Sequence, residues 1–263
     1  MRGYTVLRRG DRLPTVGVLQ KLLNSAGATL KPDCDFGART EAALRAFQDA
    51  EGIPEEGVVG AQTWQRLAGP QSLPIIDCVD VFDQGLYEHQ AQRVLQANSE
   101  PLFLGGMSNG LAQVASELAS QRDLFLLRFV GHGCPGVQGI GIGLGGWIEQ
   151  RPGGGHPLVH FFKGEHSRVK GDAVQRAGWA GLRRIFGPYA SVELHGCHVG
   201  AGAVGHRLLE TVASTLRVPV TASTVSQHQA LDFDGPTVTV WPPGMSASRW
   251  AASLPDFVGR SAP

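Results

Sequence analysis

The chain has 263 residues, 42% hydrophobic and 17% charged, an ordinary globular composition that excludes general disorder. Twenty-three basic residues balance 23 acidic ones, so bulk charge gives neither nucleic acid nor an anionic membrane a reason to bind. No run of about 20 apolar residues exists to span a bilayer. Met1 to Asp11 contains no apolar centre of the kind a cleavable export signal needs.

Residues 6 to 67 read as a small helical unit. Leu13, Val16, Val18, Leu19, Leu22 and Leu23 recur at helical spacing, with Pro14 tolerated at the helix start. Asp35-Phe36-Gly37 is a turn, and Thr40 is the expected N-cap of a helix over Glu41 to Ala50. Ala43, Leu44 and Phe47 form its apolar stripe. Gly52 to Gly57 is a second turn, and Thr63 to Leu67 a last short helix.

Several segments carry a resemblance. They are Leu-Arg-Arg-Gly-Asp11, Val-Leu-Gln-Lys-Leu-Leu23, Asp33-Cys-Asp-Phe-Gly37-Ala-Arg-Thr40, Ala-Leu-Arg-Ala-Phe-Gln48 and Gly57-Val-Val-Gly-Ala-Gln-Thr-Trp-Gln-Arg-Leu67. In this order they resemble the three-helix peptidoglycan-binding domain family. The likeness implies a cell-wall anchoring module over residues 1–68, with peptidoglycan as partner. A helical unit kept for protein contacts is the plainer alternative.

Gly69 to Pro74 is a compact stretch of turn-formers, read as a linker. Beyond it strands and helices alternate, the pattern of an α/β fold with a mostly parallel sheet flanked by helices. Expected strands lie at Leu73 to Phe82, Pro101 to Leu104, Leu124 to Val130, Ser191 to Leu194, Val218 to Ala222 and Thr237 to Trp241. Expected helices lie at Leu86 to Ala97, Leu111 to Ala119, Ala173 to Phe186 and Val204 to Leu216. Pro219 suits a strand start or an edge better than a central position.

Two of those strands break into glycine-flanked reactive side chains: Phe-Val-Gly-His132-Gly133 and Val-Glu-Leu-His-Gly196-Cys197. In an open α/β sheet, ligands bind where strands end and loops begin. Neighbouring strands would there present an imidazole beside a thiol, the pairing of a cysteine nucleophile with a histidine base. Taken singly, a buried thiol is usually a small apolar residue and a lone histidine usually structural.

Residues 75 to 224 also resemble the caspase-like fold of the caspase, legumain, gingipain and separase peptidases, in which one apolar block ends in His-Gly and a later one in the nucleophilic Cys. A closer likeness is to a bacterial caspase-like family found within large secreted surface proteins. It rests on Ile76-Asp77, the His-Gly-x-Pro-Gly turn from His132 to Gly136, Gly-Cys-x-Val-Gly from Gly196, and Val-Pro-Val-Thr-Ala-Ser-Thr224. The resemblance implies a cysteine peptidase domain over 75–263. Cys197 would attack as thiolate, His132 would protonate the leaving amine, and the backbone N–H groups of Gly133 and Cys197 would hold the oxyanion. It also implies that Ala222, Ser223 and Thr224 line the pocket for the residue before the scissile bond. Asp232 and Asp234, just beyond, are either attractors of a basic side chain or solvated turn residues.

Rival chemistries are weaker. His195, Cys197 and His198 offer soft ligands for zinc, but no second cluster completes a four-ligand site. His156, His160 and His166 are scattered, so no metal and no cofactor is expected. Gly139 to Gly143 lacks the Lys-Ser/Thr ending of a phosphate loop, and Gly153 to Gly155 reads as a lid or a cleavable loop. Cys34, Cys78, Cys134 and Cys197 form no C-x-x-C pair, so no disulfide scaffold is expected, though one bond through Cys34 or Cys78 stays open. The expected function is a wall-targeted cysteine endopeptidase acting on a partner protein or a wall peptide. A non-catalytic adaptor and a lytic peptidoglycan amidase are the alternatives. Wall targeting implies work outside the cytoplasm, while the start of the chain shows no signal. Cytoplasmic residence and export by a dedicated route both stay open.

Overall fold

The computed structural model describes residues 3–54, 56–69, 71–80, 92, 94–96, 101–104, 115–138, 148–149, 158–159, 180–228 and 231–257. The N-terminal unit holds α1 (Pro14–Ser25), α2 (Ala38–Glu51) and α3 (Ala61–Ala68). Pro14 opens α1, where its missing N–H costs nothing. The helix is buried nearly all round, because it meets α2 and α3 on one side and later elements of the chain on the other. Thr40 is not the cap of α2. That helix begins at Ala38, directly after its N-cap Gly37, which makes no side-chain bond, and Thr40 already stands in the first turn. The Thr40 hydroxyl instead accepts from buried Gln20 at 3.1 Å, and the same amide reaches Asp33 and the Asp35 carbonyl. A buried amide needs partners more than an exposed helix end does.

The second part is a six-stranded sheet in the order β10-β9-β8-β3-β1-β2, parallel except for β10. Its strands are β1 (Ile75–Asp80), β2 (Leu102–Leu104), β3 (Leu124–Val130), β8 (Phe186–His195), β9 (Val220–Ser223) and β10 (Thr237–Val240). Small two-stranded ladders pair β4 (Gly133–Cys134) with β5 (Val137–Gln138), and β6 (Ile148–Glu149) with β7 (Leu158–Val159). Pro219 stands just before β9, where its carbonyl accepts from Val192. β8 starts earlier than the sequence suggests. Only part of the helix expected before it lies in the described residues, as a 3-10 turn over Leu182–Ile185. Residues 94–96 and 115–117 are helical, and the rest of those two expected helices lies outside the described residues. So do Gly139 to Gly143, Gly153 to Gly155, His156, His160 and His166.

The sheet has two covered faces. On one, Leu127, Phe129, Val192, Leu194, Val220 and Ala222 meet the apolar side of α4 (Gly202–Leu216). On the other, Phe125 and Leu126 join Leu19, Trp64, Leu73 and Ile75 in one apolar cluster with α5 (Ala247–Ser253). The Trp64 ring lies edge-on to Phe125 at 6.0 Å. The helical unit therefore serves as a covering layer of the sheet, and Leu73 in the expected linker is buried in that contact. α5, which is not among the expected helices, is capped by the Ser246 hydroxyl and closes the layer with Trp250 against α1.

Between the layers runs a polar row. Asp77, Arg128, Glu193, Thr221 and Thr239 stand in register on five consecutive strands. Asp77, Arg128, Glu193 and Thr221 are fully buried. Arg128 grips both oxygens of Asp77, at 2.5 and 3.1 Å, and donates to the carbonyls of Tyr4 and Leu231 at 3.1 and 3.4 Å. Burial alone would lower the guanidinium's hold on its proton. Asp77, helped by Glu193, reverses the sign and raises it.

α4 docks through bare backbone. A Cβ on Gly205 would overlap the Gly200 carbonyl and lie 2.6 Å from the Val199 oxygen. Gly205→Ala is expected to cost about 1–3 kcal/mol, as overpacking does, read from the urea unfolding midpoint. A change of under half a kcal/mol would show that α4 can shift freely.

Candidate functional site

The register of β3 and β8 decides where the two reactive side chains fall. Val130 and His195 are partners across this parallel pair, and His132 and Cys197 each follow two residues later. Adjacent strands lie about 4.8 Å apart, so both side chains leave the carboxyl edge of the sheet from neighbouring positions. The two loops touch. A Cβ on Gly133 would lie 2.8 Å from the Gly196 Cα and 2.6 Å from the Val199 side chain. Only glycines admit this approach. The Pro135-Gly136 turn, with Gly136 at φ 75, folds β4 and β5 back over residues 199–204.

His132 and Cys197 are both partly exposed. The Cys197 sulfur lies 3.3 Å from the backbone N–H of Gln227 and 3.7 Å from its carbonyl oxygen. The Gln227 side chain is buried and donates to Ser223 at 2.8 Å, which pins the loop beside the thiol. No sequence motif pointed to Gln227, because its contact with Cys197 arises through the backbone. α4 begins soon after the cysteine, with Ala201 as N-cap.

The remaining candidates divide. Ala222 is buried in the core under α4, and the Ser223 hydroxyl is buried between Val225 and Gln227. Both side chains are buried among the described residues. Ala222 packs in the apolar cluster with α4, and Ser223, on the opposite face, is covered by the loop over Val225 and Gln227. Thr224 alone is partly exposed, and its hydroxyl donates to the Pro236 carbonyl. Asp232 is ion-paired to Arg8, and Asp234 accepts from the His228 backbone with the His228 ring 3.6 Å away.

His195 points to the opposite face from α4. Its ring stacks on Phe233 at 4.2 Å and its Nε2 lies 3.1 Å from the buried Glu193 carboxylate. His198, at φ 58, uses its two ring nitrogens on the Thr224 carbonyl and Ser226 hydroxyl. Both are thus occupied in packing and loop contacts. Among the described residues no group of three or more His, Cys, Asp or Glu is placed to hold a metal ion. The four cysteines are free thiols, Cys34 and Cys78 buried, Cys134 and Cys197 partly exposed. Burial pushes the Cys34 thiol up to about 12 and raises that of Cys78 as well. No helix among the described residues is long and apolar enough to cross a membrane.

Residues 12–67 match the family model described as "Putative peptidoglycan binding domain". The N-terminal unit is a peptidoglycan-binding domain. An uncharacterized protein in the bpoA1 3' region of Kitasatospora aureofaciens is 38% identical over 64 residues, 24% of this chain and 54% of that protein. The chain thus spans about half the length of this curated relative. Among solved structures, the SleB N-terminal domain is 37% identical, covering 27% of this chain and all of that one, at a TM-score of 0.25.

Proposed function

We propose that the protein is a wall-associated cysteine peptidase of caspase-like type, with Cys197 as nucleophile and His132 as acid–base partner. The observation that carries this reading is the equal two-residue offset of both side chains from an in-register strand pair, with their glycine neighbours in contact. In the reaction the Cys197 thiolate adds to a peptide carbonyl carbon. The oxyanion lies against the backbone N–H groups of Gly133 and Cys197. The C–N bond then breaks as His132 protonates the departing amine, leaving a thioester. Water, giving its proton to His132, hydrolyses the thioester and restores the thiol. The bond cut belongs to a partner protein or to a wall peptide.

The test is the alkylation rate of Cys197 against pH, followed by mass spectrometry in the wild type and in His132→Ala. Reaction near neutral pH that slows in the variant is expected, because the thiolate is the reactive form and a neighbouring imidazolium favours it. Cys34, whose thiol burial pushes to about 12, serves as the inert internal standard. A Cys197 rate equal in both proteins and no faster than that of Cys34 would sink the peptidase reading and leave a binding module.

A further inference from the structure

The loop after β9 brings a hydrogen-bond donor to Cys197. The Gln227 backbone N–H donates to the sulfur at 3.3 Å, and the Gln227 carbonyl oxygen lies 3.7 Å from it. The two contacts favour opposite forms of the sulfur. A thiol can donate to the carbonyl, whereas a thiolate can only accept, from the N–H. The N–H contact is the shorter, and a donor held on the charged form favours that form.

Such a donor works only while it stays in place, and the side chain of the same residue holds it there. The Gln227 amide nitrogen donates to the Ser223 hydroxyl at 2.8 Å and to the Ser226 carbonyl at 3.0 Å. Its oxygen accepts from the Asp234 backbone N–H at 3.4 Å. The Ser223 hydroxyl is fixed in turn, donating to the Val225 carbonyl at 2.9 Å and accepting from the Val225 N–H at 3.0 Å. One buried side chain thus ties the end of β9 to both limbs of the loop. The near limb is also bound to the cysteine's own loop, where the His198 N–H donates to the Val225 carbonyl at 2.8 Å. The far limb is anchored by the Leu231 carbonyl, which accepts from the Val6 N–H at 3.2 Å, and by Phe233, stacked on His195.

Titratable groups stand on every element around the sulfur. His132 follows β3, Cys134 lies on β4, and His198 is on the cysteine's own loop. His228 and Asp234 flank Gln227, with the His228 ring 3.6 Å from the carboxylate. α4 has no acidic residue in its first turn, and His206 is its first titratable group. Gln227 and Ser223 are neutral, so replacing either changes no charge in this set.

We infer that Gln227 is a positioning residue for Cys197: its buried side chain fixes the loop so that its backbone N–H holds the sulfur as thiolate. The part this plays in peptide hydrolysis rests on the peptidase reading; the hold on the thiolate does not.

Iodoacetamide alkylation of Cys197 against pH tests it, in the full chain as wild type, Gln227→Ala, Ser223→Ala and the double variant. The reagent is uncharged, so its rate follows the thiolate fraction on the rising limb and access to the sulfur on the high-pH plateau. Each single variant is expected to move the curve to higher pH and to slow alkylation near neutral pH roughly threefold to tenfold, as loss of a bond to a charged group does. The plateau should stay that of the wild type. The double variant should be no slower than Gln227→Ala alone, because Ser223→Ala removes a bond already lost. Ser223→Ala leaves the Gln227 bonds to Ser226 and Asp234 in place, so it carries the test if Gln227→Ala fails to fold. A purely structural role would lower the urea midpoint and leave the curve where it is. Curves superposed on that of the wild type therefore overturn the inference. So does a raised plateau with an unmoved curve, which would make the loop a cover over the sulfur and not its donor. A moved curve in the variants, with wild-type and His132→Ala curves coincident, would keep the role of Gln227 and defeat only the peptidase reading.

Discussion

Arg128→Met is expected to lower the unfolding free energy by about 3–5 kcal/mol, the usual cost of stranding a buried charge. Arg128 has no exposed surface, and its removal would leave Asp77, equally buried, without its cation. Glu193, next in the row, would lose the positive charge beside it, and the Tyr4 and Leu231 carbonyls would lose a donor. Those carbonyls belong to the segments that join the peptidoglycan-binding unit to the loop near Cys197. The same segments exchange Val6 N–H to Leu231 and Trp64 Nε1–H to the Thr5 carbonyl, the latter at 2.6 Å. The variant should therefore loosen the seam as well as the sheet. Urea unfolding of Arg128→Met, Asp77→Leu and the double variant measures this as a coupling energy. The double variant should recover a large part of the loss, since two apolar residues strand less charge than one broken pair. Single-variant losses under 1 kcal/mol would show that water reaches the row and screens it.

Cys197→Ala is expected to abolish peptide hydrolysis, a loss on the order of 10⁴-fold or more in kcat/KM, with an unchanged urea midpoint. Among the described residues the thiol's hydrogen bonds go to the Gln227 backbone, and Cys197 is partly exposed, so its removal costs the fold little. Gly133→Ala is the more discriminating change. The added methyl would force the His132 loop away from Gly196 and Val199. A displacement of about 1 Å between reacting groups costs on the order of 10²-fold in rate. Turnover should therefore fall while Cys197 remains alkylatable. Cleavage of wall fragments and peptide libraries, assayed alongside alkylation, checks both. Full activity in Cys197→Ala would assign the hydrolysis to other groups.

Much of this molecule is legible in its sequence. β3 over Leu124–Val130 is buried at every position, and an apolar run of that length bounded by glycine has few other fates. Asp77, Arg128 and Glu193 were visible as charges inside apolar strands. Their meaning was not, because a row across five strands depends on register, and register is a property of the pairing. Likewise Ala222 and Ser223 follow the expected strand, and each is buried because α4 covers one face and the loop over Val225 and Gln227 the other.

By itself the sequence determined the small helical unit over residues 6 to 67, the alternating α/β order and the two glycine-flanked side chains His132 and Cys197. Each is carried by local composition and spacing, which need no partner from elsewhere in the chain. Only the tertiary structure decided that the helical unit covers a face of the sheet and that Arg8 meets Asp232 across 224 positions. It also placed Gln227 against the thiol. Those contacts join residues far apart in the chain, and burial of the shared apolar cluster, not any local preference, brings them together.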